Sequence, residues 1–336
     1  MREKTEKKRL SILKILHESE NPLSSPRITQ ELNAQGFDVS ERTVRLYLLG
    51  MDSMGLTENF GKRGRRITDK GIIELSQARI FEKIGFLAAK IDQMTYKMDF
   101  RLAERAGTVV MNTSLIEKDN IEKAIPLIKS VFASGLGMGE LVTVFESGQK
   151  MGELEIEEDY FGIGTVCSVT LNGVLLDFGI PTNSRFGGLL ELEEGEPIRF
   201  VELINYDGTT LDPLEVFIKS GMADLTGAVE SGSGRIGASF REVPADSRDK
   251  VVQLSDELKK TGLDGFMKIG WPGQALLEIP VSDGRCGVII IGGLNPVSIL
   301  EEQGIHVKHA GALSGLHDYR DFSHYSELNE RIGRLC

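Results

Sequence analysis

Ser40-Glu41-Arg42-Thr43-Val44-Arg45-Leu46-Tyr47-Leu48-Leu49-Gly50, followed after five residues by Leu56-Thr57-Glu58-Asn59-Phe60-Gly61-Lys62-Arg63-Gly64-Arg65-Arg66-Ile67-Thr68, decides how the N-terminal part of the chain folds. Ser40 is a capping residue type, and the run behind it has a helical apolar pattern, so a helix is expected to start there. Val44, Leu46, Leu48 and Leu49 are its expected buried positions, and Gly50 or Gly55 closes it. Two short extended runs then flank a glycine-rich tip with four basic residues in five positions. That is the sequence form of a hairpin wing.

Working outward, Leu10, Ile12, Leu13, Ile15 and Leu16 give a helical apolar face that stops near Asn21-Pro22. Ser25 offers an N-cap with Pro26 at the first helical position, Ile28 and Leu32 continue that second helix, and Gly36 ends it. Beyond the hairpin, Asp69 begins another helix through Ile72, Ile73 and Leu75. The order helix, helix, helix, hairpin over residues 1–75 predicts a winged helix-turn-helix. Such a fold presents the start of its third helix to the major groove of double-stranded DNA. Ser40, Arg42, Thr43 and Arg45 are therefore the candidate base and phosphate contacts, and Lys62, Arg63, Arg65 and Arg66 those of the wing. The plain alternative is a three-helix domain whose basic turn is merely solvated.

Charge distribution favours DNA. Residues 1–75 hold 14 Lys/Arg against 11 Asp/Glu, a surplus of three positive charges, although the whole chain carries −11. The remainder holds 25 basic and 39 acidic residues, a net of −14. A basic head on an acidic body suits nucleic-acid binding by the head alone. The length of 336 residues suggests two or three domains, and the 40% hydrophobic content is enough for a real core. No apolar run reaches the ~18–20 residues that span a bilayer. The charged start, MREKTEKKRL, lacks the apolar segment of a signal peptide. The expectation is a cytoplasmic protein without a membrane partner. Cys167, Cys286 and Cys336 form no CxxC pair and no histidine cluster accompanies them, so no metal site is expected.

Residues 76–106 form a connector whose Ile80, Ile84, Leu87, Ala88, Ile91, Met94 and Met98 follow helical steps. Such a stripe either pairs with a second copy in a homodimer or packs on its own body. Residues 107–336 repeat themselves. Leu154-Glu155-Ile156 returns as Leu277-Glu278-Ile279, and Leu171-Asn172-Gly173 as Leu294-Asn295-Pro296, both 123 residues on. Each half, about 107–230 and 231–336, is expected to run extended segment, helix, glycine-rich segment, extended segment, then a strand or turn near Val174–Gly179 and Val297–Gly304, with a short helix the alternative in the second half. The fold class is α/β (α+β): a winged helix followed by an internally duplicated α/β effector domain.

Paired halves of this kind often enclose a ligand. Between them lies a stretch rich in hydroxyls, amide and backbone, in which Thr182, Asn183, Ser184 and Arg185 are the candidate effector contacts, with Arg185 suited to a carboxylate. Ser231-Gly232-Ser233-Gly234-Arg235 is a second polar set. Either could equally be a surface loop whose arginine makes a structural ion pair. No P-loop, GxSxG, HExxH or properly placed GxGxxG is present, and Asp177 and Asp283 have no partner in sequence, so an enzyme is not expected and no cofactor is implied.

The segments GKRGRRITDKG (61–71), AGTVVMN (106–112), FGIGTVCSVTLNGVLLDFGIPTNSRFGGLLEL (161–192) and YDGTTLDPLEVFI (206–218) together resemble the NrpR nitrogen-regulation repressors of methanogenic archaea over essentially the whole chain. The resemblance implies a repressor of nitrogen-assimilation genes that binds an inverted-repeat operator and is released by 2-oxoglutarate as effector. Some members carry two copies of the body domain and this chain has room for one. A second NrpR-domain protein is therefore an implied partner. The resemblance carries over no effector residue. Two other readings stay open: a winged-helix adaptor that binds protein, and an enzyme acting on a small organic acid with the head as its regulatory module.

Overall fold

Three short helices, each apolar on one side, bury those sides together to make the head. The computed structural model describes residues 2–19, 21–72, 75, 86–151 and 154–333. It divides into two compact units, Met1–Ile84 and Gly85–Cys336. In the first, α1 (Arg2–His17), α2 (Ser25–Ala34) and α3 (Glu41–Ser53) precede the antiparallel hairpin β1 (Thr57–Asn59) and β2 (Arg65–Ile67). Ile12, Leu13, Leu16, Ile28, Leu32, Val44, Leu48 and Met51 form its core. Ser40 caps α3, its hydroxyl accepting from the Thr43 N–H at 3.2 Å. The cap position of α2 is Ser24, one residue earlier than its sequence suggests. Leu46 and Leu49 correct a second expectation: both are exposed, because 3.6 residues per turn carries them to the side away from Val44, Leu48 and Met51. Gly64 could not be another residue without rearrangement. It sits at φ +105°, and a Cβ there would lie 2.3 Å from the Leu23 carbonyl. Residues 69–72 are helical, and Ile73 lies outside the described residues.

In the second unit, helix α4 (Phe86–Lys97) ends nine residues before the end of the expected 76–106 connector. It stops where Asp99 captures Thr108, its carboxylate accepting from the Thr108 N–H at 2.7 Å and hydroxyl at 2.6 Å, which turns the chain into the first body strand. Leu87 and Ile91 pack with Val110, Cys167, Val169, Tyr206 and Leu313, so the described part of the connector's apolar stripe is spent on its own body. Ile80 and Ile84 lie outside the described residues.

The duplication is present as architecture. The first half runs β3 (Thr108–Glu117), α5 (Ile121–Ala133), β4 (Leu141–Phe145), the small hairpin β5 (Lys150–Met151) and β6 (Leu154–Glu155), β7 (Tyr160–Val166), α6 (Val169–Asp177) and β8 (Asn183–Glu193). It then adds β9 (Glu196–Asn205), α7 (Pro213–Lys219) and α8 (Leu225–Ser231). The second half runs β10 (Gly234–Pro244), α9 (Arg248–Lys259), β11 (Phe266–Ile269), β12 (Arg285–Ile291), α10 (Asn295–Glu302) and β13 (Val307–Asp318), then β14 (Ser323–His324) and α11 (Leu328–Gly333). Matching elements begin 124 to 127 residues apart. The Leu-Asn tripeptides do not coincide within them. Leu171-Asn172 lies inside α6, whereas Leu294 is the cap of α10 and Asn295 its first residue. The segment 174–177, expected as strand or turn, is helical instead, and 297–302 takes the short helix expected as its alternative.

Each half gives its closing strands to the other, β8 and β9 to the sheet of β10, and β13 and β14 to the sheet of β3. One sheet has the order β13-β3-β7-β4-β14 and the other β11-β12-β10-β8-β9, and every pairing is antiparallel. Strand β8 of the first half therefore closes on β10, and β13 of the second half closes on β3. Helices mix in the same way: α5 packs with α10 in one buried cluster, and α6 with α9 in another. Strand β3 without β13, or β10 without β8, loses its partner on one edge, and a strand with a bare buried edge is unstable. Residues 107–230 and 231–336 expressed separately are expected to stay unfolded by circular dichroism and to recover native spectra when mixed. A cooperatively folded isolated half would contradict this.

Candidate functional site

The outward side of the head collects cations. Arg42 and Arg45 are exposed on the first turns of α3, beside Leu46 and Leu49. Lys62 and Arg63 are exposed in the single tight turn Gly61–Arg63 at the wing tip, and Arg66 is exposed on β2. Arg45 is paired with Glu41 one turn back. Arg63 stands 6.0 Å from the centre of the Phe60 ring. Exposed pairs of this kind contribute little, so they do not hold these side chains back from a ligand. Ser40 and Arg65 are placed differently from the other candidate contacts. Ser40 is occupied with capping, its Oγ also 2.9 Å from the Thr43 hydroxyl. Arg65 is half-buried, and its Nε donates to Asp52 at 2.9 Å. Asp52 also accepts from the Thr57 hydroxyl at 2.5 Å. Arg65 thus clamps the wing to α3.

The expected effector segment is mostly spent on structure. Strand β8 starts at Asn183, and the register of β8 with β10 slips between Phe240 and Arg241, leaving Arg185 as the extra residue of a bulge. The bulge aims Arg185 at Glu242, which accepts from its Nη1 at 3.0 Å, and at the Pro280 carbonyl at 2.5 Å. Glu242 is fully buried and also accepts from the Ser282 N–H and hydroxyl, and those donors with Arg185 hold its carboxyl below the usual range despite burial. Arg185 is therefore the structural ion pair rather than a waiting carboxylate receptor. Ser184 accepts from the Asn172 side-chain amide at 3.0 Å. Asn183 is exposed, and the Thr182 hydroxyl is buried without a partner. In the second polar set, Ser233 accepts from the Glu194 N–H, and the backbone of Arg235 pairs with Asp224.

The charge that does wait lies next door. Arg241, 1% exposed, sits on β10 between Phe240 and Glu242. Its Nη1 donates to the Ser168 carbonyl at 2.9 Å and to the Asn172 side-chain carbonyl, and its Nη2 to the Ser168 hydroxyl at 2.7 Å. Its Nε has no partner, and no carboxylate among the described residues pairs with it. Burial pulls its pKa down. An unpaired buried guanidinium is costly unless something anionic visits it. Ser168 also lines a small cavity of about 20 Å³ with Ile91, Asn112, Tyr206, Asp212 and Leu313. The cavity walls are unusual. Leu313 is buried at φ +52°, held there by the Asn112 side-chain carbonyl, which accepts its N–H at 3.3 Å. Gly293 is required, since a Cβ would meet the Val166 carbonyl oxygen at 2.3 Å. Burial, then the nearby Glu215, pushes the Asp212 carboxyl up to about 6, and burial pushes the Cys167 thiol up to about 11. Nothing local in the sequence sets Arg241 apart, because the extended run 235–242 also carries Arg235 and Glu242.

A model of the NrpR regulatory domains, NRD1 and 2, matches residues 84–324, and a model described as the ribonuclease R winged-helix domain matches residues 10–75. The global nitrogen regulator NrpRI of Methanosarcina mazei is 34% identical over 94% of this chain and 97% of its own length. The chain belongs to the NrpR family. The global nitrogen regulators NrpR of Methanocaldococcus jannaschii and Methanococcus maripaludis are 32% and 31% identical over 90% and 88% of the chain. The chain spans only about half the length of each of those two, 52% and 51%. Among solved structures, a nitrogen repressor-like protein from Methanococcus jannaschii superposes with a TM-score of 0.60 at 31% identity, covering 70% of this chain and 97% of that one. The winged helix and the larger α/β domain expected from sequence are thus both present in this NrpR-family chain, a nitrogen-regulatory transcription factor. Among the described residues no helix is long and apolar enough to cross a membrane.

Two outcomes separate function from structure at the cavity. Arg241→Met removes a buried charge without orphaning a carboxylate, but it leaves the Ser168 carbonyl and hydroxyl and the Asn172 side-chain carbonyl without their donor, so denaturant titration is expected to show a loss of about 1–3 kcal/mol. A fall of about 3–5 kcal/mol would mean an overlooked partner. Asp212, raised above its unfolded value of 3.8 to about 6, keeps its proton in the native state where the unfolded chain has lost it. Stability should therefore fall as pH rises from about 4 to 6, by about 1–3 kcal/mol. Asp212→Asn, which can still cap α7, should flatten that slope in denaturant titrations. An unchanged slope would assign it to another group.

Proposed function

We propose that this NrpR-family chain represses nitrogen-assimilation genes by binding an inverted-repeat operator as a homodimer, and that 2-oxoglutarate releases it. The observation that carries the DNA half is the exposed set Arg42, Arg45, Lys62 and Arg63 on the start of α3 and the wing tip, in a chain whose remaining residues carry −14. Two such heads would meet successive major grooves about 34 Å apart. Arg42 and Arg45 stand at the end of α3 that a winged helix offers to base edges, and the wing tip stands where phosphates pass.

The effector half is supported by Arg241. 2-Oxoglutarate carries two carboxylates, and Arg241 is a buried fork of donors without one. The cavity beside Ser168 is now about the size of one water. A dicarboxylate can enter only if a wall moves. One wall is Ile91 on α4, the first helix of the body after the head. Ligand entry and displacement of α4 would then be one event, with a free-energy effect limited to the difference in affinity between the two states. A second NrpR-domain protein is a fitting partner, since two relatives are about twice as long as the part this chain matches.

The test is binding to an inverted-repeat promoter fragment, titrated with 2-oxoglutarate at fixed salt. Affinity is expected to fall as 2-oxoglutarate rises, and Arg241→Met is expected to bind DNA normally but ignore the effector. Lys62→Ala and Arg63→Ala should each reduce the slope of log affinity against log salt by about one. Tight binding untouched by 2-oxoglutarate would keep the repressor and discard the effector. No binding to any duplex would favour a protein-binding adaptor.

A further inference from the structure

We infer that Leu46 and Leu49 read thymine methyl groups in the major groove, making them specificity-determining residues of the recognition helix. This rests on the DNA-binding reading above and adds the base chemistry it leaves open.

Leu46 is 64% exposed and Leu49 58%, the two largest exposures of any leucine among the head's described residues. They share one outward stripe with Arg42 and Arg45, while Val44, Leu48 and Met51 fill the opposite, buried side. The helix therefore does not need them for its own packing. A water-facing pair of leucines, one turn apart, has unsatisfied apolar surface that a partner can cover.

The surroundings select the partner. The stripe is bounded by the exposed cations Arg42 and Arg45 on the same helix, and the same head carries Lys62 and Arg63 at its wing tip. An apolar protein groove would leave those charges to be desolvated, whereas a duplex pairs them with phosphates and base acceptors. Within the major groove the only apolar group on a base edge is the thymine C5-methyl, and aliphatic contact is how it is recognised. Spacing agrees: three residues advance about 4.5 Å along a helix, close to the ~3.4 Å step between base pairs, so the two leucines address neighbouring or alternate pairs. The arginines would take guanine, the leucines thymine, giving half-sites in which both base types occur side by side.

The experiment starts from duplexes that the full chain selects out of a random-sequence pool. Each thymine of a selected half-site is then replaced singly by deoxyuridine, which lacks only the methyl. The wild-type chain is expected to lose about fourfold in affinity at one or two of these positions, the equivalent of one methyl left in water. Leu46→Ser and Leu49→Ser should each bind thymine and deoxyuridine duplexes equally at one of those positions, with unfolding temperature unchanged because both sites are exposed. Sequence-specific binding that is indifferent to every deoxyuridine would overturn the inference while leaving the DNA reading intact. So would serine variants that keep full discrimination. If the serine variants instead change the size of the protein in light scattering and nothing else, the leucines belong to a contact between copies. Absence of salt-dependent binding to any duplex would remove both readings together.

Discussion

The exchange of closing strands between the two halves of the body is the constraint on which the rest depends. A β-strand buried on its face must also satisfy the N–H and C=O groups along its edges. Here the edge of β3 is satisfied by β13 and that of β10 by β8, strands that arrive from the opposite half. Neither sheet is complete without chain from both halves, so the duplicated units are tied into one cooperative body.

Polar groups can be kept buried at that junction because the exchange encloses them. Asn112 on β3 and Arg241 on β10 belong to the two strands that receive the exchanged partners. Asn112 holds the left-handed Leu313 of β13, and the slip in β8 that throws Arg185 onto Glu242 lies beside Arg241. Two arginines on paired strands thus end in opposite states. Arg185 is neutralised by a buried carboxylate, and Arg241 is held only by neutral oxygens. Strain and an unpaired charge persist where the surrounding packing over-determines them, and they concentrate where a protein has to respond to something.

The head works by different physics. Its core is a short set of aliphatic side chains, and its outward side is arranged by local devices: the Ser40 cap, the left-handed Gly64 and the Arg65–Asp52 clamp. These hold α3 and the wing in one relation while Arg42, Lys62 and Arg63 stay exposed. Rigid backbone with exposed charge suits a surface that must match the regular geometry of a duplex.

Local pattern alone determined the order of head elements, the cap at Ser40 and the basic wing, because each depends on residues within a turn or a hairpin of one another, and the two similar halves showed as one order of such local patterns met twice along the chain. Segment resemblance pointed to the family for the same reason, since the quoted runs are continuous. Tertiary structure alone decided that Leu46 and Leu49 face outward, that α4 ends at Lys97 and lies on its own body, and that the halves trade strands. It also decided which arginine is paired with a carboxylate and which is held by neutral oxygens. Arg185 and Glu242 are 57 positions apart, Arg241 and Ser168 73, and Asn112 and Leu313 201. No periodicity reaches across such separations, and the energy of a buried charge is set by what the fold brings to it rather than by its neighbours in the chain.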